Sequence, residues 1–493
     1  MDKRQITTPI LITILLISLF VRLYNLDYPL SYIFAWGDGA RDYFVADHIV
    51  KYKEFPLLGP FNLLNEVGIY NSPVYYYLLA LFLVPYNHVL TLGVVNIIFQ
   101  MLTIFLIYLI AKKLFDQKTA ILSILIFSFN PEILAQSDYM WQPHISQLVS
   151  YLAFFLAILF YFNKRYIFLF FSSLTLAFAF ALHNSTFPWI PVFFVFFYRH
   201  FLKIILPFSL FMVLLYLPVG RYLMQNDYIT VPFSLFSQNI SQYLSNFFIN
   251  LDGILKTFNI NNLWVVPILC FSLFYFLKAK DIRKTKISVL LLLVLFFTPL
   301  FFASFFNKFR LHYLTLSLGV LTIFLAKIFT CLPAGRPFSK YKLVTFVFAF
   351  LLLLSTTNNF QFLKFQKTPL ENQKFVDNLS QIILQEIKDP TSFQIKSYVV
   401  EKTIFEYPVL DTILLIPLED KLNIKLAKIS DKSPFNHIQT GGKQYFVIVC
   451  HEFSGLSRWQ ECLETFKRSY PAYAILKNLY MGINIALYLS KHD

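Results

Sequence analysis

The chain has 493 residues, of which 57% are hydrophobic, 19% aromatic and only 14% charged. That balance excludes an ordinary soluble domain and requires a polytopic membrane protein. Its formal net charge of +15 comes without any nucleic-acid motif, so nucleic acid is not an expected partner; in a membrane chain an excess of Lys and Arg marks cytoplasmic loops and anionic headgroups.

In chain order, the first apolar block, Ile10–Val21, follows the basic start Lys3-Arg4. No small-x-small cleavage site comes after it, so it reads as a retained span rather than a signal peptide. Apolar runs of the length a bilayer crossing needs recur at 7–23, 91–111, 119–136, 145–163, 166–183, 186–198, 202–219, 263–278, 287–305, 312–332 and 343–357, about eleven spans in all. The basic clusters Lys3/Arg4, Lys112/Lys113/Lys118, Lys164/Arg165, Arg199/Lys203, Lys278 to Lys286 and Arg336 to Lys342 fall in alternate connections. All can be cytoplasmic together, with the N-terminus inside. Segments 24–90, 137–144, 183–186, 220–262, 306–311 and the C-terminal tail are then on the outer side of the plasma membrane.

The run SPVYYYLLALFLVPY (72–86) would invert every later cluster if it crossed, so it reads as a re-entrant or surface-lying helix. The 220–262 loop is amphipathic and aromatic enough to lie on the membrane surface. After Asn358 charged residues return, and SFQIKSYVV, QYFVIVCHE and NIALYLSKH alternate like strands around a helical SRWQECLETFKRSYP. The expected division is a transmembrane domain, 1–358, with a large first outer loop (24–72), and a small extracytoplasmic α/β domain, 359–493. The cysteines at 270, 331, 450 and 462 have no metal-ligand spacing. Whether Cys450 and Cys462 pair is open on sequence alone; an oxidising outer compartment would permit it.

The chemistry concentrates in FAWGDGARDYFVADHIVKYKEFPLLGP (34–60). Read as a helix over 38–50, Asp38, Arg41, Asp42 and Val45 fall at i, i+3, i+4 and i+7 on one face, and Gly37 lets the chain turn just before it. A carboxylate at a helix N-terminus beside Arg41 is favoured in its ionised form and can take a proton from an incoming nucleophile. The same residues also fit an N-cap with a surface ion network, the commoner arrangement for an arbitrary loop Asp. Ionisable groups at a membrane edge are costly, which shifts the balance towards function. Further polar groups expected outside are Glu66, Tyr75 and Tyr76, Asp138 with Trp141 and His144, His183 with Asn184, and Lys308, Arg310 and His312. Each alone fits an interfacial anchor or an aromatic belt. Together on one side with Asp38, they suit attack by a hydroxyl on a sugar whose leaving group is a lipid phosphate.

In their order, the first span, DGARDYFVADHIVKYKEFPLLGP, IYNSPVYYYLLALFL, FSFNPEILAQSDYMWQPH, FALHNSTFPWIP and FRLHYLTLSLGVL resemble the protein O-mannosyltransferase and aminoarabinose lipid A transferase group. These are GT-C glycosyltransferases that use polyprenyl-phosphate sugars, and the resemblance, family 39-like, covers roughly 10–335. It implies an all-α polytopic GT-C fold and inverting transfer from a polyprenyl-phosphate sugar donor to a hydroxyl-bearing acceptor, which the sequence leaves open as protein, lipid or glycan. Carried over by position, Asp38 is the general base, Arg41 and Asp42 orient it or the substrate, and Arg310 and His312 meet the donor phosphate. His183 matches the histidine or tyrosine that ends a middle span. Glu66, Tyr75, Tyr76, Asp138 and Trp141 remain candidates for substrate binding.

Two features depart from the group. Many of its members have Asp-Glu where this chain has Asp38-Gly39, so Asp42 or Glu66 is left to supply a second acid; and a Lys-Pro-Pro element is replaced by Asn71-Ser72-Pro73. No cofactor is assigned, although Asp38, Asp42 and Glu66 are hard oxygen ligands of the kind a divalent cation takes. The competing classes are a lipid-linked sugar flippase or transporter, which would place ionisable residues mid-span in repeated halves, and a scaffold in which Asp38 is only an N-cap. Here charges are rare within the spans, and Lys327 is near a span end.

Overall fold

The computed structural model describes residues 3–24, 38–64, 67–137, 140–226, 240–256, 282–302, 311–331, 373–387, 389, 391–400, 404–406, 411–429, 437–452, 458–481 and 485–492. In chain order its elements are α1 (Lys3–Tyr24), α2 (Asp38–Tyr52), β1 (Phe61–Leu64), β2 (Val67–Tyr70), α3 (Val74–Leu83), α4 (Val89–Leu114), α5 (Gln117–Ser128), α6 (Pro131–Ala135), α7 (Gln142–Asn163), α8 (Tyr166–Leu182) and α9 (Trp189–Phe196). There follow α10 (Phe201–Asn226), α11 (Ile240–Lys256), α12 (Ile282–Phe302), α13 (Leu311–Cys331), α14 (Gln373–Glu386), β3 (Phe393–Val400), β4 (Ile404–Glu406), α15 (Thr412–Leu422), β5 (Ala427–Ile429), β6 (His437–Gln439), β7 (Tyr445–Glu452), α16 (Trp459–Ser469), β8 (Tyr473–Met481) and β9 (Ile485–His492). They form two compact units: Met1–Asn25 with Asn62–Val74 and Val94–Phe365, and Leu26–Phe61 with Tyr75–Gly93 and Gln366–Asp493.

The first unit is helical. Among the described residues, Val89–Leu114, Gln142–Asn163 and Tyr198–Gln225 are long and apolar enough to cross a membrane. Two expected spans are interrupted. The 119–136 run breaks after Ser128, where Asn130 caps α6 by accepting from the N–H groups of Glu132 and Ile133 at 3.0 and 3.3 Å and Pro131 opens the new helix. The 186–198 run yields only the eight residues of α9, because a 3-10 turn at Asn184–Thr186 and Pro188 precede it. The runs 263–278 and 343–357 lie outside the described residues.

Helices α7 and α8 form a hairpin through Lys164, which takes the left-handed conformation (φ 60°) that ends α7. Small residues line their contact, and Ser172 Oγ donates to the Ala153 carbonyl at 2.6 Å. Tyr151 donates to the Leu316 carbonyl of α13 at 2.5 Å. A Cβ at position 319 would stand 2.3 Å from the Tyr151 hydroxyl, so this close approach requires Gly319.

In the second unit a five-stranded sheet has the order β4-β3-β7-β9-β8. Strands β3 and β7 are parallel, with Phe393 opposite Tyr445, and the remaining pairs are antiparallel. Phe446, Ile448 and Cys450 alternate onto the face that meets Trp459, Cys462 and Phe466 of α16. Cys450 and Cys462 are disulfide-bonded, joining β7 to that helix. Helix α3 is ten residues long, about 15 Å and half the thickness of a hydrocarbon core.

Candidate active site

The 38–50 helix read from the sequence is present as α2, and its length from Ala40 to Ile49 is buried. Burying charge demands pairing, and the i, i+3, i+4 spacing supplies it. Arg41 Nη1 donates to Asp38 Oδ1 at 2.7 Å, while its Nε and Nη2 donate to Asp42 Oδ1 at 2.9 and 2.6 Å. The three are not equivalent: the Arg41 and Asp42 side chains are 4% and 1% exposed, Asp38 25%. Asp38 is therefore the carboxylate that solvent or a substrate can reach.

Tyr75 and Tyr76, at the start of α3, are completely buried and lie behind this pair. The Tyr75 hydroxyl bonds to Asp42 and the Tyr76 hydroxyl to Arg41. Burial pushes the Asp42 carboxyl up to about 7, against the pull of Arg41 and the Tyr75 hydroxyl. Among the described residues, a Cβ at Gly39, where members of the group carry their second acid, would have no atom within 4 Å.

The far end of α2 is held by groups that the sequence reading did not single out as site residues. His48 is fully buried, with Nε2 2.8 Å from Glu419 Oε2 on α15 and Nδ1 3.2 Å from Glu54 Oε2. The other Glu419 oxygen accepts from the N–H groups of Leu426 and Ala427 at 2.7 and 2.9 Å. Against the penalty of partial burial, Lys425, the Ile429 N–H and His48 hold Glu54 below the usual carboxylate range. Lys51 bridges Asp47 and Asp420 at 3.0 and 2.6 Å, and Asn87 Nδ2 donates to Asp47 at 2.5 Å. No local signal could have found Glu419, which is 371 residues from His48.

The first unit holds a second group. Trp141 packs edge-on against His144 with ring centroids 5.9 Å apart. His183, capping α8, accepts from the Ser185 N–H at 3.2 Å and lies within electrostatic reach of His144. Glu66, Asp138 and Arg310 lie outside the described residues, as does the side chain of His312, whose backbone belongs to α13. Among the described residues no three His, Cys, Asp or Glu side chains are grouped to hold a metal ion.

A helical body of apolar helices, an acid-bearing helix directly after the first of them, and a small C-terminal sheet make up the GT-C glycosyltransferase fold. The chain is similar in structure to ArnT from Cupriavidus metallidurans bound to undecaprenyl phosphate, with a TM-score of 0.60 over 97% of both chains at 11% sequence identity. The apo state of that protein matches with a TM-score of 0.56 over 92% of this chain and 93% of that one, at 10% identity. The oligosaccharyltransferase AglB from Archaeoglobus fulgidus, in complex with an inhibitory peptide and a dolichol-phosphate, matches with a TM-score of 0.50 over 91% of this chain and 70% of its own, at 11% identity. The sequence itself matches no family profile and no curated protein.

Proposed function

We propose that this protein is a membrane glycosyltransferase that moves a sugar from a polyprenyl-phosphate donor to a hydroxyl acceptor on the outer face of the plasma membrane. The observation that carries the reading is the graded burial of Asp38, Arg41 and Asp42: one guanidinium fixes two carboxylates, of which Asp38 is the accessible one. That arrangement suits a general base, which must be held in place yet reachable. The fold shared with proteins whose solved forms contain undecaprenyl phosphate or a dolichol-phosphate supports a lipid-phosphate donor.

In the proposed reaction the acceptor oxygen attacks the anomeric carbon on the face opposite the phosphate. A new C–O bond forms as the anomeric C–O(phosphate) bond breaks, with inversion. The bonding electron pair leaves with the polyprenyl phosphate, and the hydroxyl proton passes to Asp38. Arg41 positions Asp38, and Asp42, backed by Tyr75, positions Arg41. Arg310 and His312 are assigned to the charge growing on the departing phosphate, and His183, Trp141, Glu66 and Asp138 to the substrates.

The test is transfer of labelled sugar from a panel of polyprenyl-phosphate donors by membranes containing wild type or Asp38→Asn at equal expression. The expected outcome is a loss of about 10²- to 10⁴-fold, the usual share of a general base, with donor binding retained. Unchanged transfer would move the base role to Asp42 or Glu66. Failure of the wild type with every donor would overturn the transferase reading in favour of a flippase.

A further inference from the structure

The first unit contains a groove of about 800 Å³ between the end of α7, α9 with the turn after it, and α12. Helix α7 has 22 residues, about 33 Å at its rise, so the groove lies a helix length from Trp141 and His144 at the other end. Its size falls within the range of small-ligand sites, and its walls divide by chemistry. Lys164, Arg199, His200 and Lys286 line it together, while Val195, Leu293 and Phe297 supply an apolar flank.

Among the described residues, no carboxylate faces these cations. Between Asp138 and Asp227 the chain has no acidic residue, and α12 has none either. Among the described residues no carboxylate lines the groove, and Lys164, Arg199 and Lys286 have no acidic partner. Lys164 and Arg199 lean on aromatic residues instead: Lys164 Nζ lies 4.7 Å from the Tyr161 ring centroid and Arg199 Nε donates to the Tyr198 hydroxyl at 3.0 Å, while Lys203 Nζ extends the basic rim 3.5 Å over Tyr166. Isolated Lys and Arg at helix ends commonly snorkel to the membrane surface. Snorkelling does not by itself enclose a cavity, nor does it set basic groups from three chain segments against one apolar wall.

A free anion would use the basic end and leave the apolar flank wet, whereas a lipid fills both. We propose that this groove binds a phosphate-headed membrane lipid, its headgroup on Lys164, Arg199, His200 and Lys286 and its hydrocarbon chain along Val195, Leu293 and Phe297. This site is additional to the one around Asp38 and does not depend on the transferase reading.

Native mass spectrometry of the full-length protein in detergent tests it, with phosphatidylglycerol, phosphatidylcholine of the same chains, and inorganic phosphate as the probes. Wild type is expected to bind phosphatidylglycerol roughly tenfold more tightly than phosphatidylcholine, and the double variant Lys164→Gln/Arg199→Gln to lose that preference. Lys118→Gln/Arg221→Gln, which removes the same charge from exposed positions that do not line the groove, should keep it. Val195 is 71% exposed, so Val195→Trp obstructs the apolar flank without entering the core and should weaken phosphatidylglycerol binding with every cation in place. An unchanged preference in Lys164→Gln/Arg199→Gln, or unchanged phosphatidylglycerol binding in Val195→Trp, overturns the proposal. So does full displacement of the lipid by equimolar inorganic phosphate, which would mark a free-anion site.

Discussion

Asp42 is the carboxyl through which pH acts on the proposed site. Burial raises it to about 7, so it loses its proton in the neutral range while its neighbour Arg41 remains charged. Below that point Asp42 is neutral and the guanidinium charge falls on Asp38 alone, which holds the proposed base back from accepting a proton. Above it, Asp42 takes a share of Arg41 and frees Asp38. Transfer should therefore rise as pH increases through about 7, and Asp42→Asn should flatten that limb of the rate profile; an unaltered limb in the variant would assign it to another group. Asp38, Arg41 and Asp42 were legible in the sequence because their contacts are set by helical geometry over four residues. Tyr75 and Tyr76 were legible as candidates, but their burial against Asp42 and Arg41 was not, since it depends on α3 packing over α2. Nothing within the first loop could indicate Glu419 as the partner of His48.

Helix α2 carries the proposed base at one end and is fastened at the other, so its placement depends on α15 and β5. Replacing Glu419 by Ala would leave the Leu426 and Ala427 N–H groups and a ring nitrogen of His48 without their acceptor. Losing one member of such a buried set costs about 3 kcal/mol. The expected result is faster amide exchange along α2 and β5 together with weaker transfer; exchange confined to α15 would show that α2 is fixed by other contacts. Strand β7 gives a second prediction at this scale. Burial pushes His451 down to about 3, below the value near 6.5 of an exposed imidazole. Between those values the unfolded chain binds the proton and the folded chain does not, so this contribution is complete above about 6.5 and is lost as pH falls towards 3. His451→Leu should move the acid midpoint of the C-terminal sheet to lower pH, read by tryptophan emission from Trp459. Strands β3, β7 and β9 fall on the three segments that read as strands in the sequence, short runs rich in aromatic and β-branched residues. Strand β8 was not, because register shifts between Ile475 and Lys477 and between Asn478 and Tyr480 break its period of two. The break at Asn130 was likewise hidden inside an apolar run, 119–136, that continues across the capping residue.

For the whole molecule, the GT-C arrangement emerges at 11% identity to ArnT over 97% of the chain, so the fold is carried by the order and polarity of segments rather than by residue identity. The sidedness of the chain rests on the same kind of pattern. With the basic clusters in alternate connections taken as cytoplasmic, the proposed topology has Lys164 inside and the chain beyond Asn358 outside, and the Cys450–Cys462 bond suits an oxidising outer compartment. The proposed reaction needs this orientation, because in it Asp38 follows the first span on the outer side. In a background with Cys270 and Cys331 replaced by Ser, Lys467→Cys on the exposed face of α16 should react with a membrane-impermeant maleimide in intact cells. Lys164→Cys should react only after the membrane is opened. Labelling of both in intact cells would show that the number of crossings between them has the opposite parity to the one inferred, and would put the groove at Lys164 on the outer side together with the C-terminal sheet.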